Sequence, residues 1–259
     1  MDENIRLSVS KTKTWSACKK QFEFSYILKL PKKIRDYHIF GNFCHRVLEL
    51  FHQTYINGST EPCHKVMTDV FKAAKVEYIN KMTPDMIKEC FDIIHQYLKI
   101  VSKEQKYITS VLAVEKKFET PITNNIMLNG MIDKISMDDD NIVKVSDYKT
   151  TKNKSFLKGD FFQLLTYAYV ILQESPDLKK IRASYILLRH DFEEIEVEFT
   201  VDQILKIKDD YIKYATDIVN ATAYPPSPSI LCGWCDFLEN CTAGQLRVSP
   251  NQVFGEIEW

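Results

Sequence analysis

The chain has 259 residues, 45% of them apolar, enough for a substantial core in one large domain or a domain with an attached lobe. Its net charge of −1 announces no polyanionic partner, yet residues 1–35 hold nine Lys/Arg against three acids, a local +6 that leaves −7 elsewhere. No apolar run approaches the ~18 residues that span a bilayer. The acidic start is unlike a secretory leader, and an odd count of seven cysteines points to reduced thiols in a cytoplasmic setting rather than a disulfide framework.

Trp15, Cys18, Phe22, Tyr26 and Leu30 recur every three or four residues and predict a helix from Ser10 to about Leu30, capped by Ser8 or Ser10 and stopped by Pro31. Gly41 to about Ile56 is a second helix with Phe43, Val47, Leu50 and Phe51 as its apolar stripe. Segments 64–81 and 84–104 follow as helices, the latter with Pro84 in its first turn. The period then changes to that of strands, at Val111–Phe118, Ile126–Met137 and Ile142–Thr150, the last two joined by the acidic turn Asp138-Asp139-Asp140-Asn141. A helix at about 160–174, strands near 181–188 and 193–199, and a long helix over 201–222 come next. Pro225-Pro226-Ser227-Pro228 breaks the last helix. This order describes an α/β or α+β layered domain.

Alternation along Ile142–Thr150 puts Val143, Val145, Asp147 and Lys149 on one face. A carboxylate and an ammonium at the end of an apolar face belong at a rim or beside a metal. The preceding strand ends its own apolar stretch in Gly130-Met131-Ile132-Asp133, where Gly130 permits close approach of another group. Asp133 and Asp147 can therefore converge on a hard divalent ion such as Mg²⁺ or Mn²⁺. Lys149 would then orient an attacking water or offset charge on a reacting phosphorus. An isolated Asp-x-Lys is more often an ordinary surface pair, so neighbouring features carry weight. His45, four residues after Gly41 on the second helix, could add a ligand. Gln163 and Tyr167 share one helix face and can contact a phosphate, the attacking water or a base. Glu115 interrupts an otherwise apolar strand and is a further feature of interest, with simple strand-face exposure as the competing reading.

Cys232-x2-Cys235-x5-Cys241 presents three thiolates to one centre, and Cys18 is the natural fourth. Four cysteines suit either Zn²⁺ or a [4Fe–4S] cluster; Trp234 and Phe237 between the ligands would shield a cluster. Cys44, Cys63 and Cys90 have no partner at ligand spacing and are expected to be buried or inert thiols.

Taken in order, Leu7-Ser8-Val9-Ser10 with Cys18, Gly41-x3-His45, Gly130-x2-Asp133, Asp147-x-Lys149, Gln163-x3-Tyr167 and the terminal cysteine triplet resemble the RecB-like branch of the PD-(D/E)xK nuclease superfamily, in its iron–sulfur subset. The resemblance spans about 7–241. It implies an α/β core with a central mixed sheet flanked by helices, an N-terminal helical lobe, and a [4Fe–4S] cluster clamping the chain ends. A single domain over 1–259 is expected, helical over about 10–105, with the nuclease core at about 106–222 and the cysteine segment 223–245 joined to Cys18. The resemblance assigns His45, Asp133, Asp147 and the Tyr148 carbonyl to a metal ion, Lys149 to catalysis, and Gln163 and Tyr167 to support of substrate and metal.

The activity so implied is a Mg²⁺- or Mn²⁺-dependent exonuclease on single-stranded DNA or DNA ends. Lys11, Lys13, Lys19, Lys20, Lys152 and Lys154 would guide the strand. No G-x-x-x-x-G-K-[ST] loop is present, so unwinding would come from a helicase or another recombination or replication partner. Two other readings fit the same residues: a catalytically silent nucleic-acid-binding protein on this fold, and a zinc-stapled adaptor.

Overall fold

The computed structural model describes residues 4–248. In chain order its regular elements are β1 (Ile5–Leu7), α1 (Val9–Ala17), α2 (Lys19–Phe22), α3 (Asp36–Ile56), α4 (Cys63–Tyr78), α5 (Pro84–Lys103), the single turn α6 (Lys106–Thr109), β2 (Val111–Thr123), β3 (Ile126–Met137) and β4 (Val143–Lys149). They continue with α7 (Phe162–Glu174), β5 (Lys180–Leu187), β6 (Glu193–Thr200), α8 (Val201–Leu205), α9 (Ile207–Val219) and α10 (Thr242–Arg247). Contacts group them into two compact units. One is built from 4–34, 119–129 and 208–248, the other from 35–118 and 130–207.

In the larger unit the strand order is β3-β4-β5-β6, with β2 beside β3. β3 and β4 are antiparallel, β4 and β5 parallel, β5 and β6 antiparallel, so the sheet is mixed. The parallel pair needs a long crossover, which α7 supplies. Helix α7 is apolar almost all round and buries eight of its residues, as a helix packed against a sheet must. On the other side α3, α4 and α5 pack their stripes (Phe43, Val47, Phe51; Val66, Val70; Ile94, Tyr97) in one cluster with Tyr148 and Ile186 from the strands. Lys134 lies opposite Ser146 and Ile135 opposite Val145. One further step of that register sets Asp133 level with Asp147 on the same face.

Several boundaries differ from the sequence expectation for physical reasons. The helix expected over 10–30 breaks at Cys18, whose backbone is extended (φ −161°, ψ 114°). The break is satisfied on both sides, since Cys18 N donates to Thr14 O and Phe22 N to Cys18 O, each at 3.0 Å. A π-helical turn, Glu23–Ile27, then ends the segment before Pro31. Helix α3 starts at Asp36, five residues before Gly41, with the acid in its first turn. The helix expected over 201–222 divides at Lys206, after a capping box in which Thr200 and Gln203 exchange hydrogen bonds. β2 runs on to Thr123, past Glu115, which adopts the left-handed region at φ 47°. β1 has no counterpart among the expected strands; three residues are too few for a periodicity, and its register comes from parallel pairing with Ile126–Leu128.

In the smaller unit Trp15 packs edge-on against Phe22 (4.9 Å) and Tyr224 (6.2 Å), Phe24 lies against Phe237 (5.6 Å), and Ser16 donates to the Tyr214 hydroxyl at 3.0 Å. These contacts bring the residue 18 region to the segment that carries the other three cysteines.

Candidate active site

Strand β4 ends in the residues that the site is built around. Asp147 is almost wholly buried (3% exposed), although a charge there is costly without partners. Its Oδ1 accepts from Gln163 Nε2 at 2.6 Å and from the Tyr167 hydroxyl at 3.3 Å. Its Oδ2 has the Lys149 ammonium at 2.6 Å but no aligned hydrogen-bond donor. Lys149 in turn donates to Gln163 Oε1 at 3.0 Å, so the Gln163 amide holds the aspartate with one end and the lysine with the other. Gln163 Nε2 also donates to the Tyr167 hydroxyl at 2.8 Å, one helical turn along α7.

Asp133 enters from β3. Its Oδ2 accepts the Tyr148 amide at 2.8 Å and lies 3.5 Å from His45 Nδ1. His45 Nε2 lies 3.0 Å from the Tyr148 carbonyl oxygen. Gly41 explains how α3 comes this close, because a Cβ there would meet Thr150 Oγ1 at 3.3 Å. Gly130 has the sharper requirement: a Cβ would sit 2.6 Å from Cζ of Phe118.

The structure adds Glu115, which the strand pattern alone predicts to be exposed. Its backbone lies in the left-handed region, at φ 47°, inside β2. The residue is half-buried, and His45, Glu115 and Asp133 each offer a ligand atom within 4.8 Å of the other two. A charged residue inside an apolar strand was the available signal.

The electrostatics follow from crowding. Burial, reinforced by Asp147, pushes the Asp133 carboxyl well up; the Tyr148 amide and Lys149 oppose this. Burial, then the charges of Glu49 and Asp147, raises Glu115 from 4.5 to about 7. Burial lowers the His45 imidazole, which favours its neutral, ligating form. The Asp133 and Glu115 carboxyls and a neutral His45 imidazole make a donor set of oxygen and nitrogen atoms suited to a hard divalent ion, with Asp147 outside that close group but near enough for its charge to raise both carboxyls. The Asp147 Oδ2 atom, buried without a hydrogen bond, fits the same need. So does the 3.0 Å separation of His45 Nε2 and the Tyr148 carbonyl, since adjacent ligands of an octahedral ion lie about 3 Å apart.

A second constellation occupies the smaller unit. Cys18, Cys232, Cys235 and Cys241 all line one cavity of about 490 Å³. Three of their sulfurs receive backbone N–H groups: Cys18 from Ser227 (3.4 Å), Cys232 from Ser229 (3.3 Å) and Cys241 from Gly244 (3.4 Å). Burial pushes the Cys235 thiol up. A cationic centre would reverse that shift, so the donor set fits a metal or cluster. Trp234 lies in the turn between these ligands, and Phe237 is buried beside them.

The basic residues singled out from the sequence divide between the units. Lys11 donates to Arg6 O at 2.8 Å and faces the Phe22 and Tyr26 rings, Lys19 faces Trp15 at 4.9 Å, and Lys20 pairs with Glu23 at 2.5 Å. Lys13 and Lys152 are exposed, and Lys154 pairs with Glu193 at 2.7 Å. Cys44 and Cys90 are buried, Sγ to Sγ 3.2 Å, as expected of inert thiols, whereas Cys63 is half-buried against Ser102.

With the geometry in place, comparison with known proteins defines the class. Residues 6–242 match the model of the PD-(D/E)XK nuclease superfamily. This chain belongs to that superfamily, in its RecB-like branch. It is 26% identical over 191 residues to a component of the ATP-dependent helicase/deoxyribonuclease of Streptococcus agalactiae, covering 67% of this chain and 17% of the relative. The protein of the same name from Streptococcus pyogenes is 25% identical over 189 residues, with the same coverage. The matched stretch is thus under a fifth of those relatives' length. A solved Eubacterium rectale protein, provisionally named an exonuclease, shares the fold at 10% identity with a TM-score of 0.56, over 94% of this chain and 88% of its own. PD-(D/E)XK nucleases use divalent metals. Among the described residues no helix is long and apolar enough to cross a membrane.

Proposed function

We propose that this chain is a Mg²⁺- or Mn²⁺-dependent DNA nuclease, acting as an exonuclease on single-stranded DNA or DNA ends. The observation that carries the reading is the meeting of His45, Asp133 and the Asp147–Lys149–Gln163 network at one strand tip. His45, Asp133, Asp147 and the Tyr148 carbonyl would hold the ion, with Glu115 beside them. When bound, a divalent cation polarises a phosphoryl oxygen and eases deprotonation of water. Lys149 places its ammonium where charge develops on the phosphoryl group, a position fixed by Asp147 and Gln163. Tyr167 anchors the far end of that network, keeping the Asp147 carboxylate turned towards the tip. Lys11, Lys13, Lys19, Lys20, Lys152 and Lys154 would attract the strand; exposed pairs such as Lys154–Glu193 cost little to open for a phosphate.

Cys18, Cys232, Cys235 and Cys241 would hold a [4Fe–4S] cluster, with Zn²⁺ as the alternative. The cavity they share and the N–H groups aimed at their sulfurs support this. Anaerobic purification and a visible spectrum separate the two, because only the cluster absorbs broadly near ~400 nm. The name of the streptococcal relatives couples a helicase to a deoxyribonuclease, which supports a helicase as functional partner here.

The test is cleavage of end-labelled single-stranded DNA with Mn²⁺ by the native chain and by Asp147→Ala and Lys149→Ala. Activity lost in both variants supports the assignment; full activity in both overturns it.

A further inference from the structure

Arg189 lies just beyond β5 and has no role in the sequence motifs. Its guanidinium is engaged on three sides within the larger unit. Nε and Nη2 donate to the two carboxylate oxygens of Glu89 on α5, at 2.7 and 3.1 Å, in a two-pronged pairing. Nη1 donates to the carbonyl of Thr150, the residue following β4, at 2.5 Å. The guanidinium also lies over the Phe40 ring on α3, 4.2 Å from its centre. The side chain is only 14% exposed.

These contacts converge on the elements that carry the metal-site residues. Phe40 and Gly41 are on α3, one turn before His45, and Gly41 is where that helix closes on Thr150. Thr150 follows Lys149 directly, and Leu188 N donates to Lys149 O at 2.9 Å, so the backbone either side of the Arg189 clamp is fixed as well. His45 and the Asp147–Lys149 strand tip must keep their spacing to within a few tenths of an ångström for the 3.0 Å His45–Tyr148 contact to persist.

We propose that Arg189 is a positioning residue that holds α3, α5 and the exit of β4 in one register, and so sets the metal affinity of the His45–Asp133–Asp147 site. This rests on the metal-dependent reading above. Lysine cannot replace it, because a point ammonium can reach the Thr150 carbonyl or Glu89 but cannot fork across the carboxylate while covering Phe40.

The experiment measures Mn²⁺ affinity by electron paramagnetic resonance, kcat and KM on single-stranded DNA, and Tm without metal. It uses the native chain with Arg189→Met, Arg189→Lys and Glu89→Gln, and Asp147→Ala as a site control. Arg189→Met is expected to weaken Mn²⁺ binding at least tenfold and lower kcat, with KM for DNA within about twofold. Arg189→Lys should recover only part of the affinity. Glu89→Gln, which removes one charge from a half-exposed position, should weaken Mn²⁺ about threefold and supplies the decisive comparison if Arg189→Met does not fold. Unchanged Mn²⁺ affinity in the folded variants, even with a lower Tm, would overturn the positioning role. Native chain and Asp147→Ala binding Mn²⁺ equally would instead overturn the site assignment on which it rests.

Discussion

Gly130→Ala is a stringent probe of how the site is packed, because one methyl group decides it. The added Cβ would lie 2.6 Å from Phe118 Cζ, closer than real Cβ contacts, and 3.0 Å from Cε1, at the tight end of those that occur. To reach ordinary contact the ring must withdraw by about 0.8 Å or more. Phe118 is 7% exposed and its ring meets Tyr167 edge-on at 6.3 Å, so it has no open space to enter. Overpacking of this kind costs about 1–3 kcal/mol, offset by about 0.5–1 kcal/mol from a stiffer unfolded chain. A net loss of about 1–2 kcal/mol corresponds to a fall of about 2–8 °C in Tm for a chain of this size. Phe118→Leu alone should cost about 1–2 kcal/mol for the apolar atoms it removes. It also vacates the space the new methyl group needs. The double variant should therefore be less destabilised than the sum of the two singles by about 1 kcal/mol or more. Urea denaturation of all four proteins in EDTA reads this directly. Additivity to within about 0.5 kcal/mol would refute the claim that Gly130 exists to admit the Phe118 ring.

The crowded carboxylates imply a cost that metal relieves: Asp133→Asn should raise Tm in EDTA at pH 8, through a stability gain of about 1.4 kcal/mol for each pH unit by which the folded carboxyl is raised. Because a raised acid regains stability as it protonates, that advantage should shrink towards pH 5, and Mn²⁺ should stabilise the native chain but not the variant; a Tm series against pH and Mn²⁺ checks both. His52 behaves in the opposite sense, since burial, aided by Lys134, holds its imidazole well below 6.5. The unfolded chain takes up that proton first, so stability should fall below about pH 6.5, by up to about 1.4 kcal/mol per pH unit. His52→Gln should flatten that acid slope while lowering Tm at pH 8 through loss of the 2.7 Å contact to Tyr97. Cys235→Ala should lower solubility and Tm before it alters the chemistry of folded molecules, measured by thermal melts beside the visible spectrum; normal folding with no cluster would remove the structural role.

How far the site could be foreseen depended on whether a residue's role was local. Alternation along β4 was enough to bring Asp147 and Lys149 to one face, and the apolar stretch ending in Asp133 marked the neighbouring strand. The i, i+4 spacing of Gln163 and Tyr167 likewise needs only helix geometry, and the two are hydrogen-bonded. Glu115 escaped because its role depends on a left-handed backbone residue within a strand, which periodicity treats as one more exposed position. The break at Cys18 escaped for a related reason, since an extended residue flanked by two helical stretches keeps the three-to-four spacing intact. Arg189 lies 39 residues beyond Thr150 and 100 beyond Glu89, a convergence of segments too distant in sequence for any local pattern to show. Boundaries moved at α3, which begins at Asp36 with an acid in its first turn, and at Lys206, where the helix expected over 201–222 divides in two.

Under the proposed function, one divalent ion binds where β3, β4 and α3 meet. Crystals soaked in Mn²⁺ and measured at the manganese absorption edge would locate it. One strong anomalous peak is expected within ligand distance of His45 Nε2, Asp133, Asp147 and the Tyr148 carbonyl, absent from Asp147→Ala crystals. Full Mn²⁺-dependent cleavage by the same protein in solution, with no peak there or with the peak elsewhere, would contradict it.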